Sequence, residues 1–157
     1  MQIRPFLPGD ALILRTVFHS SVHQLARQHY TTAQLQAWAP AEYDAAQWAE
    51  RLRTNRPWVA EVNGCIAGFA DLQPSGCIDH FFVAGKHAGR GVGRALMARI
   101  HSAAQQAGMV RLWANVSLNA EPFFSRSGFA VEARQQVALR GQVLANARMG
   151  SKLLFAS

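Results

Sequence analysis

Cysteine is scarce in this chain: Cys65 and Cys77 are the two thiols among 157 residues. So low a thiol content excludes a disulfide scaffold and fits a reducing compartment. In the hairpin expected below, Leu72 faces Cys77, which leaves Cys65 about seven residues along the ladder. At roughly 3.3 Å per residue that is about 23 Å, too far for a bridge. Both are read as free thiols packed as small apolar groups. Long apolar runs are missing too. No stretch approaches the roughly 20 residues of a membrane span, so a membrane partner is not expected. The opening MQIRPFLPGD lacks the apolar core of a secretory leader and reads as a first strand, so the expected location is cytoplasmic. Repeats, Pro- or Gly-rich linkers and low-complexity tracts are absent as well. At this length one domain, residues 1–157, is the economical reading.

Acidic residues are few, 9 against 16 Lys and Arg, giving a formal charge of +7. Such an excess favours anionic ligands such as a nucleotide, nucleic acid or an acidic substrate; it equally suits a merely basic surface. Hydrophobic residues at 50% and charged residues at 16% form an ordinary globular balance.

The elements come in a definite order. Gln2–Phe6 reads as a strand ending at Pro8-Gly9, and Asp10 as the N-cap of a helix carrying Leu12, Val17, Val22, Leu25 and Ala26. A second helix starts near Thr31 or Thr32 and stops at Pro40; Trp48 and Leu52 mark a third before Asn55. Trp58–Val62 and Cys65–Leu72 are strands joined at Asn63-Gly64, a strong two-residue hairpin signal. Gln73–Gly76 turns into a further strand, Cys77–Val83. Val92, Leu96, Ile100, Ala103 and Ala107 then recur at helical spacing until Gly108. Val110–Asn115 reads as a strand and Ala120–Ser127 as a short helix. Phe129–Leu139 and Val143–Leu154 close the chain as strands turned at Arg140-Gly141. The fold class is α/β of the α+β kind: a mixed, mostly antiparallel sheet with helices on both faces.

Between strand and helix lies HAGRGVGRAL, residues 87–96, with glycines at alternate positions. Backbone amides at a helix start have no partners of their own, and the helix dipole favours an anion there. Glycines let a diphosphate reach those amides, with Arg90 and Arg94 adding charge. A dinucleotide fingerprint fails because Arg94 stands where its last glycine belongs, and a P-loop from Gly85 fails at Arg90 and Gly91. A mobile turn is the bland alternative.

The stretch Ala88-Gly89-Arg90-Gly91-Val92-Gly93, preceded by the strand FFV at 81–83, resembles the acetyl-CoA-binding motif of the GNAT superfamily of N-acetyltransferases. FFSRSGF at 123–129 resembles a second segment of that family, and the element order agrees over nearly the whole chain. Ala88 departs from the family's Gln or Arg. The resemblance implies splayed central strands, with acetyl-CoA as co-substrate and no metal. It places the cofactor on Phe82, Val83, Ala88, Gly89, Arg90, Gly91, Val92, Gly93 and Arg94, with Asn119 and Phe124 across the pantetheine arm. It also implies direct attack of a primary amine on the thioester, a backbone N–H of the strand before the loop holding the oxyanion.

The catalytic groups are less plain. Where some members carry a Glu base, this chain has Cys77; Asp79, two residues on and on the same strand face, is the expected base or amine anchor. It could equally be a strand acid that supports the core. His80 should face the other way. Phe124 stands where many members place a Tyr acid, and a phenyl ring donates no proton. The helices after the first strand and the last hairpin bound the acceptor site in this family. That points to His29, Tyr30 and Trp38, the aromatics forming a wall for a cation or simply core. His19 and His23 have a metal-ligand spacing without a third ligand. The expected activity is acetylation of a primary amine on a small molecule or peptide. A non-catalytic acyl-CoA-binding module and acetylation of an aminoacylated RNA are the alternatives, nucleic acid being the less expected partner. A homodimer is compatible with this kind of fold.

Overall fold

The computed structural model describes residues 1–153. Its elements are β1 (Gln2–Pro5), α1 (Ala11–Ser20), α2 (Thr32–Trp38), α3 (Ala45–Asn55), β2 (Trp58–Val62), β3 (Cys65–Ala70), β4 (Phe81–Val83), α4 (Val92–Gln106), β5 (Arg111–Ser117), α5 (Glu121–Arg126), β6 (Ala130–Leu139) and β7 (Gln142–Lys152). The fold is α+β with antiparallel sheets. Leu154, expected in the last strand, lies outside the described residues. Among those described, no helix is long and apolar enough to cross a membrane.

Local chemistry accounts for most boundaries. Thr31 caps α2 in a reciprocal box with Gln34, and Asp44 caps α3 by accepting from the Gln47 amide. Asn63 and Gly64 both take positive φ, 51° and 77°, as the tight turn between β2 and β3 requires. Asp10 precedes α1 but makes no cap bond. Its carboxylate accepts instead from the Leu7 amide and the Arg4 guanidinium, tying β1 to the start of α1. Val17, Val22 and Ala26 are buried as expected, whereas Leu12 is 66% exposed and Leu14 and Phe18 are buried instead. After α1 the chain adds one π turn, Ser21–Leu25.

The strands form two sheets, β1-β2-β3-β4 and β5-β7-β6. Val59 and Phe69 pack with α1 and α3 on one face of the first sheet, while Ala60 and Ala70 pack with Val92, Leu96 and Ile100 of α4 on the other. The pairing slips between Ala60 and Glu61, which leaves Ala67 as the extra residue of a bulge. Where the sheets meet, Cys77 bridges Trp113 in parallel, with Ile78 N–H donating to Trp113 O at 2.9 Å. From there β4 and β5 diverge into separate sheets. The splay expected from the resemblance is present.

One expected strand is shorter than its sequence pattern. Only Phe81–Val83 of the stretch 77–83 pairs with β3. The Asp71 carboxylate intervenes, accepting from the amides of Asp79 (2.8 Å) and His80 (3.0 Å). The register differs as well: Gln73 N–H meets Cys77 O and Asp71 N–H meets His80 O, so Leu72 is not the partner of Cys77. Both cysteines are free thiols, Cys65 exposed.

Candidate active site

The divergence of β4 and β5 opens a cleft of about 910 Å³. Phe81–Val83 form one wall; Ser117, Asn119 and Phe124 lie on the other. The glycine stretch closes one end, with Gly91 at the N-cap of α4 and φ of 83°. Gly89 has φ of 73°. Both therefore adopt a left-handed backbone that side chains disfavour. Gly93 serves a different purpose: a Cβ there would lie 3.2 Å from the Phe123 ring, so its lack of one lets α4 and α5 close up. The 15-residue α4 thus presents its free amides and positive dipole end to the cleft. Three buried polar atoms or rings facing the cleft lack protein partners: Asn119 Oδ1, His101 Nε2 and both ring nitrogens of His87. Buried polar groups are normally satisfied, so these suit a ligand with its own donors and acceptors.

The main-chain direction of β4 follows from its bonds. Asp71 N–H donates to His80 O and Ala84 N–H to Ala67 O. In an antiparallel ladder such residues alternate, so Phe82, opposite Phe69, also turns its backbone toward β3. Its carbonyl lies 2.9 Å from where a Gly68 Cβ would sit. Phe81 and Val83 therefore direct their peptide groups toward the splay.

A smaller cavity of about 250 Å³ adjoins the cleft. Trp38, Phe82 and Ser117 line both. Its walls are Phe18, Tyr30, Leu139 and Leu144, and Asp79, His80, Asn115 and Asn146 supply polar groups. Tyr30 fixes the roof: its hydroxyl donates to Ala145 O at 2.5 Å and accepts from Leu118 N–H at 3.0 Å. Burial pushes its phenol up. Gln34 to Val143 O and Arg140 to Ala37 O further lash α2 to the β6–β7 hairpin.

Asp79 takes two bonds from Arg51 (3.1 and 2.7 Å) and one from Asn55 (2.6 Å), all on Oδ2. Partial burial pushes its carboxyl up, but Arg51, His80 and Asn55 outweigh that and leave it below the ordinary range. His80 Nε2 lies 3.9 Å from the same oxygen. Burial among Trp48, Phe69 and Phe82 lowers the His80 imidazole to about 4. Burial raises the Asp71 carboxyl to about 6. Asp71, Asp79 and His80 bring potential ligand atoms within 4.8 Å of one another, with the Arg51 guanidinium already supplying a cation to the group.

A family model described as an acetyltransferase (GNAT) domain matches residues 26–144. The chain belongs to the GNAT family. It is 34% identical over 152 residues to the uncharacterized N-acetyltransferase YafP of Escherichia coli, covering 97% of this chain and 96% of that protein. A GCN5-related N-acetyltransferase from Rhodopseudomonas palustris superposes with a TM-score of 0.93 at 34% identity, covering 97% and 95% of the two chains. The fold is shared with a putative acetyltransferase of Salmonella typhimurium solved with acetyl-CoA (TM-score 0.70, 20% identity, 100% and 96% covered).

Within this GNAT fold the expected residues fall unevenly. Phe82, Val83, Ala88, Gly89, Gly91, Val92, Gly93, Arg94, Asn119 and Phe124 line the cleft; Arg90 is exposed beside it and is not in its wall. Phe82 contributes its side chain, since β3 takes its backbone. Asp79 and Tyr30 reach the smaller cavity, and Trp38 reaches both. His29 is exposed and lines neither, because the turn before α2 points it outward. His23 bonds Ala39 O through Nε2 and stacks on His19, 4.0 Å between ring centres. His80 does not face away from Asp79, because strict strand alternation ends where Asp71 captures both amides. Nothing in the sequence pattern marked Asp71, His87 or Ser117. Each depends on segments distant in the chain.

Proposed function

We propose that this GNAT domain transfers an acetyl group from acetyl-CoA to a primary amine. One observation carries the reading: the glycine-opened cleft and a smaller carboxylate-bearing cavity share a wall at Trp38, Phe82 and Ser117. Acetyl-CoA, when bound, supplies the activated acyl group. Gly89–Gly93 and the α4 amides suit its pyrophosphate; Asn119 and the outward peptide groups of Phe81 and Val83 suit its amide-bearing arm.

The protein's own groups then have distinct tasks. Val83 or Phe81 N–H donates to oxygen that gains charge during attack. Asp79 Oδ1, left clear by the bonds on Oδ2, attracts and orients the amine. Its low pKa makes it a weak base for a free ammonium, which ordinarily titrates near roughly 10. The ammonium therefore gives its first proton to solvent and the small neutral fraction attacks, which should make the rate rise with pH. The attacking nitrogen becomes far more acidic once it has bonded to the acyl carbon; a weak carboxylate then suffices to take its second proton as the carbon–sulfur bond breaks and thiolate leaves. Phe124 is 4% exposed and has no proton to give. Ser117 lines both cavities, and in this reading its hydroxyl assists the departing sulfur, so Ser117→Ala should lower kcat about tenfold, the worth of one such bond.

Phe124 also favours a second reading, binding of acyl-CoA without turnover. Calorimetric titration with acetyl-CoA, followed by thiol release over a panel of amines, separates them. Binding with amine-dependent release supports the transferase, and binding without release supports the module. No binding removes both.

A further inference from the structure

We propose that the acceptor is a compact primary monoamine whose remaining body is uncharged and apolar, with a ring or a branched chain. This deepens the transferase reading and rests on it. The acceptor cavity is walled by Phe18, Trp38, Phe82, Leu139 and Leu144, and among the described residues Asp79 is its charged lining group. Asn115 and Asn146 are neutral, and both spend their Oδ1 on Gln135 Nε2 at 3.0 and 2.9 Å. The neighbouring guanidiniums are committed elsewhere: Arg51 to Asp79, Arg140 to Ala37 O and Arg15 to Pro40 O.

The charge pattern selects by what it leaves unpaired. An amino acid would bring a second carboxylate beside Asp79 with no lining cation to meet it. A polyamine would place a second ammonium against aromatic and aliphatic walls. Either sets a charge against walls that offer it no partner. A lone ammonium at the Asp79 oxygen that Arg51 leaves free brings no second charge into the cavity, and the ring faces of Trp38 and Phe82 favour the cation's approach. Size agrees: an apolar cavity of roughly 150 Å³ holds benzene, so about 250 Å³ holds a ring with a short aminoalkyl arm.

The test is thiol release by the full chain at saturating acetyl-CoA, with phenethylamine, phenylalanine and spermidine as acceptors. Phenethylamine is phenylalanine without its carboxylate, so ring and arm are held constant. Its kcat/KM should exceed that of phenylalanine by about a hundredfold and that of spermidine by at least about tenfold. Val137 lines the cavity and is 39% exposed, so V137R can supply the missing cation. That variant should narrow the phenethylamine-to-phenylalanine ratio at least about tenfold, with acetyl-CoA affinity unchanged by calorimetry. Preference for phenylalanine or spermidine overturns the acceptor class and leaves the transferase standing. A ratio that V137R does not move overturns this cavity as the selecting site. Bound acetyl-CoA without release to any of the three amines overturns the acceptor class; release to another amine of the wider panel then leaves the transferase standing, and release to none of that panel overturns it as well.

Discussion

Asp79 carries its three side-chain bonds on one oxygen, leaves the other without a side-chain partner, and lines the smaller cavity. In the proposed transfer, a residue so held serves as an anchor through its charge more than its basicity. Asp79→Asn keeps the shape and removes that charge. Amine kcat/KM should fall about a hundredfold or more, within the range for positioned acid–base groups, with acetyl-CoA affinity changed less than about twofold. An unaltered rate and pH profile would show that Asp79 neither anchors nor accepts. Beside it, His80 makes a prediction about stability. Its imidazole is held at about 4 by burial against roughly 6.5 when unfolded. Below that value the unfolded chain binds the proton first, so stability present above pH ~6.5 is lost as pH falls toward 4. The loss is about 3 kcal/mol from this group. Asp71 works the opposite way, because its raised pKa of about 6 gives stability that is full below ~3.8 and lost as pH rises through 6. Urea denaturation of wild type and His80→Phe isolates the histidine: the variant should lose less stability between pH 7.5 and 4.5. Equal losses would show that His80 does not titrate in this way.

At the scale of elements, the N-terminus of α4 can be tested for charge separately from shape. Gly91 has φ of 83° and nothing within 4 Å of a built Cβ, so a side chain fits in space but strains the backbone. Asn and Asp tolerate that conformation best and to similar degrees. Gly91→Asn and Gly91→Asp therefore pay about the same strain and differ in charge. The Asp variant should bind acetyl-CoA about a hundredfold more weakly than the Asn variant, about 2.7 kcal/mol at 298 K, with similar Tm. Equal affinities would remove the pyrophosphate from this loop. The loop and α4 were legible in the sequence because their determinants are local: glycines at the start, helical spacing, Gly108 at the end. The Asn63-Gly64 hairpin was legible for the same reason. The segment 77–80 was not. Its alternation reads as strand, but a carboxylate six residues earlier than Cys77, fully buried at Asp71, takes the amides of Asp79 and His80 and ends the ladder at Phe81. Within the site, the motif identified the glycine loop, whereas Ser117 and the Arg51–Asp79–Asn55 group depend on tertiary pairing alone.

Across the whole molecule, two sheets meet at Cys77–Trp113 and part at the site, so β4 keeps an unpaired edge inside the protein. Sheet edges are ordinarily covered or blunted; here the outward peptide groups of Phe81 and Val83 remain available, with β5 too far round to reach them. A ligand whose arm lies in the cleft would complete this edge and join the half carrying α4 to the half carrying Asn119 and Phe124. Amide hydrogen exchange distinguishes that arrangement from simple stabilisation. At about a hundred times Kd, any ligand of the native state adds about 2.7 kcal/mol and slows globally exchanging amides. Acetyl-CoA should additionally protect the Phe81 and Val83 amides. By contrast 3′-phosphoadenosine 5′-diphosphate, which has the pyrophosphate but no pantetheine arm, should protect the α4 N-terminus and leave those two amides unchanged. Equal protection by both ligands would mean that β4 responds only to global stability. Protection by neither would place the arm elsewhere than on the edge the splayed sheets leave open.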